Sequence, residues 1–343
     1  MTTLKDVARL AGVDSSTASR VLRDDPFQFV KPDTRARIHE AARTLQYRPN
    51  VLARGLRTRR TDAIGFIIPN LDNVGLSDVT HGVQAEAAAT GRMVLVVEAD
   101  SLAADTGHLH EVYQRLLSDQ LVDGLIAAFA TLDDRFISSL TERGIPLVLV
   151  NRRTSGVTGS VVVNDQRGIE AAVNHLVSLG HQSIGYVGLS AQTDTANRRA
   201  IGFREAIQAA GIRPSAAPMT AAPPTITGGR AGFADLFRQR EPHPTAVVAA
   251  SLQGAVGVLA EAKANGIRVP KQLSVIAFND HELAGYLDPP LTTIKMPNFR
   301  MGQAAVQMLL AALDGEPARD LMINDPPEVV LRRSTSPPGT ATA

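Results

Sequence analysis

The strongest constraint on this chain is an alternation that begins at residue 63. Short apolar runs recur at Ala63–Ile68, Met93–Val97, Gly124–Ala128, Pro146–Val150, Val161–Val163, Ile184–Val187, Ala246–Ala250 and Ser274–Phe278. Amphipathic stretches lie between them, among them Leu76–Thr90, Gly168–Leu179, Arg199–Ala210 and Ala255–Asn265. Several close on a glycine (Gly91, Gly180, Gly211, Gly266), as a helix does when its last residue turns left-handed. Uniformly apolar strands alternating with helices predict parallel sheets covered on both faces. Eight strands are many for one sheet, so the reading is an α/β domain of two lobes over residues 62–333.

The first 60 residues follow a different rule. Thr3-Leu4-Lys5-Asp6 fits a capping box, with a hydroxyl N-cap and a carboxylate three residues on. Leu4, Val7, Ala8 and Ala11 then repeat at helical spacing, and Gly12 ends the helix. Asp14 caps a second helix, from Ser15 to about Leu22, whose Ala18, Val21 and Leu22 face inward. A third helix starts near Pro32 with Ile38, Ala41, Ala42 and Leu45 on one face. Three short helices with a tight first turn make an all-α helix-turn-helix unit at residues 1–48. A basic linker, residues 49–61, follows. It holds too few residues to be a stable helix alone in water and is read as a hinge that folds on DNA. Residues 334–343, rich in Ser, Thr and Pro, read as a disordered tail.

Charge separates these regions. Residues 1–60 carry 13 Lys/Arg and 6 Asp/Glu, a net +7, and the remainder carries 22 and 28, a net −6. A basic head on an acidic body points to a polyanionic partner for the head. There is no cysteine, which excludes disulfides, thiolate nucleophiles and Cys-ligated metals. The N-terminus lacks a signal-peptide core and no apolar run approaches a membrane span of roughly 18 residues. The expectation is a cytoplasmic protein with no membrane partner.

Enzyme signatures are missing. No phosphate-binding Gly-Lys loop, nucleophile elbow or zinc-protease motif occurs. His108 and His110 are too few for a metal site and fit a solvated helix start, and His181 sits in a structural Gly-His turn. The reading therefore has no catalytic residue, no metal and no cofactor. A solute-binding protein of the same two-lobed type would need a signal peptide and no basic head.

Specific strings carry a resemblance. They are Leu-Lys-Asp-Val-Ala-Arg-Leu-Ala-Gly-Val at 4–13, Ser16-Thr17-Ala18-Ser19-Arg20-Val21-Leu22, Thr34-Arg35, Leu45-Gln46-Tyr47-Arg48-Pro49-Asn50 and Ala53-Arg54-Gly55-Leu56. In the body they are Val122-Asp123-Gly124-Leu125, Leu179-Gly180-His181-Gln182-Ser183-Ile184-Gly185, Gly202-Phe203 and Pro290-Leu291-Thr292-Thr293-Ile294. The ordered set resembles the lac/gal repressor family over residues 2 to about 333.

The resemblance implies a helix-turn-helix head, a hinge helix and a periplasmic-binding-protein-like body. Its two lobes are joined by three crossings near 159–162, 288–291 and 321–324. Lobe 1 then holds about 62–160 plus 290–322, and lobe 2 about 161–289 plus 323–333. It also implies a homodimer on a pseudo-palindromic double-stranded operator, repressing in response to a small-molecule effector that is a sugar by family default. Whether the ligand induces or corepresses, or the protein activates, is left open, because allosteric coupling takes either sign. No C-terminal leucine heptads occur, so a dimer rather than a tetramer is expected.

Residue by residue, Ser15, Ser16 and Arg20 match the base readers of the second helix. Arg20 is suited to bidentate pairing with guanine. Lys5, Thr17 and Ser19 match phosphate contacts. In the hinge, Asn50, Ala53, Arg54, Leu56 and Arg57 match the minor-groove segment, with Leu56 as the wedge that levers a base step open. The effector positions are Asn73, Gly75, Leu76, Asn151, Thr195, Arg199, Ser251 and Asn279, at the carboxyl ends of strands. Arg199 is the candidate clamp for hydroxyls or a carboxylate. The chain departs from the family pattern in several places. Turn 23–31 is about two residues longer, Arg23 replaces an asparagine and Lys31 replaces an N-cap. Val74-Gly75-Leu76 and Pro224 stand where aromatics are usual, Ser251-Leu252 replaces Asn-Asp, and Asn279 replaces an acid. A pocket with fewer carboxylates and rings suits something other than a simple neutral sugar.

Overall fold

The structure is a computed structural model and describes residues 2–22, 30–47, 60–99, 115–116, 121–190, 192–238 and 243–339. It forms two compact units, Met1–Thr61 and Asp62–Ala343.

The first unit contains α1 (Leu4–Ala11), α2 (Ser15–Val21) and α3 (Pro32–Thr44). The capping box closes as expected: Asp6 Oδ2 accepts from the Thr3 amide at 3.0 Å, and Thr3 Oγ1 accepts from the Asp6 amide at 3.4 Å. Gly12 ends α1 in the left-handed region at φ +64°. Such a cap leaves a short helix a sharp exit into the next turn. The core is Val7, Ala8, Ala11, Ala18, Val21, Ile38 and Ala41, with Leu22, Ala42 and Leu45 packed against it. Lys31 gives α3 no side-chain cap, and Pro32 occupies its first turn.

The second unit holds two six-stranded sheets. Their strands are β1 (Ala63–Ile68), β2 (Met93–Glu98), β3 (Gly124–Ala127), β4 (Leu147–Val150), β5 (Ser160–Val163), β6 (Ile184–Leu189), β7 (Met219–Ala222), β8 (Ala246–Ala249), β9 (Ser274–Phe278), β10 (Thr292–Lys295), β11 (Leu321–Ile323) and β12 (Glu328–Val330). The helices are α4 (Ser77–Ala89), α5 (Arg135–Glu142), α6 (Asp165–Ser178), α7 (Asp194–Ala209), α8 (Ile226–Arg238), α9 (Leu252–Ala264) and α10 (Asn298–Leu313). The sheets run β11-β5-β4-β3-β1-β2 and β12-β10-β9-β8-β6-β7. Every pairing is parallel except β10 with β12. Both lobes repeat one doubly wound order, which reverses between β1 and β3 in one and between β6 and β8 in the other. Ligands of open α/β sheets bind at such reversals.

Central strands are buried along their whole length, as in β1, β3, β4, β8 and β9. That is why they read as continuous apolar runs. The edge strand β2 alternates instead, with Met93 and Leu95 exposed. Helices of lobe 1 pack backbone to backbone through glycines. A Cβ at Gly302 of α10 would lie 2.2 Å from the Val79 carbonyl, and one at Gly82 of α4 would lie 2.0 Å from the Phe299 carbonyl. Lobe 2 uses the same device between α8 and α9, where a Cβ on Gly257 would lie 2.2 Å from the Ile226 carbonyl. Among the described residues no helix is long and apolar enough to cross a membrane.

The structure corrects three sequence expectations. The lobe crossings fall later than 159–162, 288–291 and 321–324. Val161–Val163 pairs with Leu321–Ile323 in the first sheet, and Thr292–Lys295 lies in the second. The chain therefore crosses at Asn164, at Met296-Pro297 and at residues 324–327. Two of the expected positions overlapped strands β5 and β11 and the third fell just ahead of β10, and each strand completes its ladder before the chain leaves its sheet.

Helices α6, α7 and α9 start three to five residues before the apolar periodicity. Their caps, Asn164, Thr193 and Ser251, lie upstream of it, each side chain accepting an orphan amide.

Residues 334–339 are not a free tail. Ser334 is fully buried: its Oγ donates to the Val275 carbonyl at 2.6 Å and accepts from the Thr292 amide at 2.8 Å, and its carbonyl accepts from the Val275 amide at 2.8 Å. The Ser336 carbonyl accepts from the Ser274 hydroxyl at 3.0 Å and lies 2.9 Å from His181 Nε2. Polar composition hid this segment because its ties are hydrogen bonds rather than apolar burial.

Candidate functional site

The head presents α2 through an aspartate. Asp14 caps the helix: Oδ1 accepts from the Ser16 and Thr17 amides at 2.8 and 3.0 Å. The Ser16 and Thr17 hydroxyls donate to the same carboxylate at 2.5 and 2.6 Å. These side-chain bonds hold its carboxyl far below the ordinary carboxylate range, although the group is exposed. Ser16 and Thr17 are thereby oriented, and each hydroxyl keeps lone pairs to accept a further bond. Ser15 is half-buried, while Lys5, Ser16 and Arg20 are exposed. Ser19 is 9% exposed, and its burial argues against the expected phosphate contact. Asn50, Ala53, Arg54, Leu56 and Arg57 lie outside the described residues, as do His108, His110 and most of turn 23–31.

In the body, the expected effector residues gather where strand carboxyl ends of the two lobes meet. Asn151 follows β4 and Asn279 follows β9, the equivalent strand of the other sheet. Both take left-handed backbone, at φ +60° and +71°. Asparagine tolerates this conformation better than other residues with a Cβ, so both turns re-aim the chain across the cleft. Lobe-to-lobe bonds follow. The Thr195 hydroxyl donates to the Asn151 carbonyl at 2.7 Å. The Asn279 amide reaches the Gly75 carbonyl at 3.5 Å, and Asn298 donates to Asn279 Oδ1 at 3.3 Å. Gln253 donates to the Asp72 carbonyl at 3.0 Å, and the Leu132 amide to the Gln192 carbonyl at 3.1 Å. Gly75 permits this approach, since a Cβ there would sit 2.9 Å from Asn279 Nδ2.

Not every expected residue lines the cleft with its side chain. Asn73 caps the turn Val74–Leu76, accepting from the Gly75 amide at 3.1 Å. Leu76 is 5% exposed and packs in the core of lobe 1, so its side chain supports the loop rather than a ligand. The Ser251 hydroxyl caps α9 by accepting from the Gly254 amide at 3.1 Å.

Arg199 is neither a surface salt bridge nor alone. It is 4% exposed, its Nε donates to Asp165 Oδ1 at 2.6 Å and its Nη1 to the Ala250 carbonyl at 2.6 Å. Its guanidinium lies 3.8 Å from the centroid of the Phe278 ring, a cation–π contact. Arg198 grips the other oxygen, with Nε and Nη2 at 3.0 and 2.7 Å from Asp165 Oδ2, and also pairs with Asp194. Burial alone would raise the Asp165 carboxyl, but the charges of Arg199 and Arg198 overcome it and hold it below its ordinary value. Arg152 crosses from lobe 1 to donate through Nη1 to the Thr195 hydroxyl. Burial first, and the like charge of Arg199 second, push it down to about 10, with Asp165 pulling the other way. It stays a cation at neutral pH.

Sequence reasoning missed Asp165, Arg198, Arg152, Phe278 and Asn298. One signal was available: the twin arginines 198 and 199 open a helix that must pack on a sheet, so a buried carboxylate had to meet them. Asp165, two residues after the apolar run Val161–Val163, is the carboxylate that does so.

Comparison with known proteins adds to this geometry. Residues 3–50 match the description "Bacterial regulatory proteins, lacI family", and residues 173–335 match "Periplasmic binding protein-like domain". The chain is 34% identical over 316 residues to the HTH-type transcriptional regulator GalS of Salmonella typhimurium, covering 92% of this chain and 91% of that protein. It is 30% identical to the HTH-type transcriptional repressor PurR of Aliivibrio salmonicida, covering 97% of this chain and 99% of the relative. This chain belongs to the LacI family.

Among solved structures, the lac repressor dimer bound to operator and the anti-inducer ONPF matches with a TM-score of 0.82. Identity is 27%, with 98% of this chain and 99% of that chain covered. The LacI-family assignment makes this chain a sequence-specific DNA-binding transcription regulator of the repressor type, and not an enzyme. Both the helix-turn-helix head and the two-lobed α/β body agree with the sequence reading.

Proposed function

We propose that this LacI-family regulator acts in the cytoplasm as a homodimer on a pseudo-palindromic operator, and that a small molecule between the lobes sets its operator affinity. The family default for that molecule is a sugar or sugar-like metabolite. In this reading Arg20, Ser15 and Ser16 read base edges, while Lys5 and Thr17 position the head on phosphates. Leu56, with Asn50, Ala53, Arg54 and Arg57, serves the minor groove.

The observation that carries the effector half is the set of lobe-to-lobe bonds made by Asn151, Thr195 and Asn279. Groups that join the lobes directly are the groups a ligand between them must engage or displace. A ligand with unequal affinity for two lobe arrangements shifts the balance between them, and this is the physical content of the switch.

The test is operator titration by fluorescence anisotropy. Arg20→Ala and Leu56→Ala each lose specific affinity, while the melting temperature of the body stays that of the wild type. Undiminished specific binding in both variants contradicts the assigned DNA contacts.

A further inference from the structure

Among the described residues the charges in the cleft do not balance. Three guanidinium groups, from Arg152, Arg198 and Arg199, meet there. Two carboxylates answer them. Asp165 is held by Arg198 and Arg199, and Asp194 by Arg198. Among the described residues Arg152 has no carboxylate partner; its one bond is to the neutral Thr195 hydroxyl. Its Nε is buried with no hydrogen-bond partner at all. Arg152 is half-buried as a residue, but an Nε–H sealed from water with no acceptor is costly, and an anion placed there would complete it. The position agrees. Arg152 stands at the carboxyl end of β4 and reaches the first turn of α7, a helix of 16 residues whose positive end faces the same cleft.

The remaining polar groups offer no substitute. Asn151, Asn279 and Ser251 are neutral, and the Ser251 oxygen already accepts from the Gly254 amide. Asp165 favours the charged form of Arg152 through space without bonding it, and among the described residues no carboxylate forms an ion pair with Arg152.

From this imbalance we infer that the effector is an anionic metabolite whose carboxylate or phosphate oxygens pair with Arg152 between the lobes. This rests on the cleft being the effector site. Arg152 would be the specificity-determining residue, because a guanidinium presents a fork of donors that a carboxylate or phosphate matches and a hydroxyl does not. A neutral sugar leaves the imbalance in place.

The test uses the full chain and matched probes: glucose, gluconate and glucose 6-phosphate, and ribose beside ribose 5-phosphate, with inorganic phosphate alone as the minimal anion. Calorimetry and thermal shift read binding. The expected result is that an anionic member of a set binds roughly tenfold or more tightly than its neutral partner. Gluconate against the sugar phosphates tells a carboxylate from a phosphate site. Arg152→Gln abolishes the preference, and Arg152→Lys restores most of it by keeping the charge. The melting temperature of unliganded Arg152→Gln is equal to or above that of the wild type, since a cation with a sealed, unfilled donor has been removed. Neutral sugars binding as tightly as their anionic partners overturns the anion inference while leaving the cleft as the effector site. An anion preference that survives in Arg152→Gln overturns the role of Arg152. No binding by any probe overturns both the inference and the effector reading it rests on.

Discussion

The head and the cleft each organise themselves around an aspartate at the start of a helix, and the two aspartates are held in opposite ways. Asp14 is exposed and is kept ionised by hydroxyls and amides of its own turn. Asp165 is fully buried and is kept ionised by two arginines from another helix. The local device fixes a few side chains at the surface, where DNA can meet them. The long-range device ties α6 to α7 and carries Arg199 beneath the Phe278 face, so it fixes the geometry of a site rather than of a turn. A head that reads needs exposed, pre-aimed groups; a body that senses needs buried ones whose partners can change.

Four changes would break or sharpen this contrast, in falling order of effect. Asp165→Ala removes the carboxylate shared by Arg198 and Arg199, and breaking such a buried network costs about 3–5 kcal/mol. The melting temperature of the full chain should fall steeply; a shift of a degree or less would mean the arginines find solvent instead. Gly302→Ala places a methyl against the Val79 carbonyl and should cost about 1–3 kcal/mol through overpacking. Chemical denaturation reads it, and an unchanged midpoint would contradict the close helix contact. Asp14→Ala should lower the stability of the head and weaken operator binding, with the body's transition unmoved. If operator affinity holds, the cap does not pre-aim Ser16 and Thr17.

The smallest effect is one of pH. Burial lowers His181 from its ordinary value of 6.5, opposed by the Ser336 carbonyl and aided by His175. The folded body therefore prefers the neutral ring, and the unfolded chain takes up the proton first. Stability is complete above about 6.5 and declines as pH falls below it, until the lower folded value is passed. Melting scans between pH 8 and 5 should show this decline, and His181→Gln should make it shallower, the remainder coming from His175, which burial also lowers. A wild-type profile that is flat in this range would place the ring in solvent.

Much of this was legible in the chain. Thr3, Asp6, Gly12 and Asp14 announce the head through local chemistry, and each does what its spacing says. Central strands were visible because burial on both faces makes them uniformly apolar. The strands that escaped notice, β7, β10, β11 and β12, are short; three of them form sheet edges, where burial is partial and the apolar signal thins, and β10 lies beside one. Arg199 was legible as a cleft residue, but its partners were not. The Asp165–Arg199 contact joins residues 34 apart across two helices, and no local pattern encodes it. Leu76 and Ser251 stand in the expected loops, where one packs in the core and the other caps a helix, because sequence position locates a residue near a site without saying which way its side chain turns.

The account stands on the claim that α2 reads a symmetric DNA sequence. Selection of DNA from a random pool by the purified full chain, followed by sequencing, tests it directly. The account predicts enrichment of an inverted repeat, with Arg20→Ala relaxing the preference at symmetry-related positions in both half-sites and leaving the spacing unchanged. Recovery of sequences with no shared motif, or of an identical motif with Arg20→Ala, would contradict it.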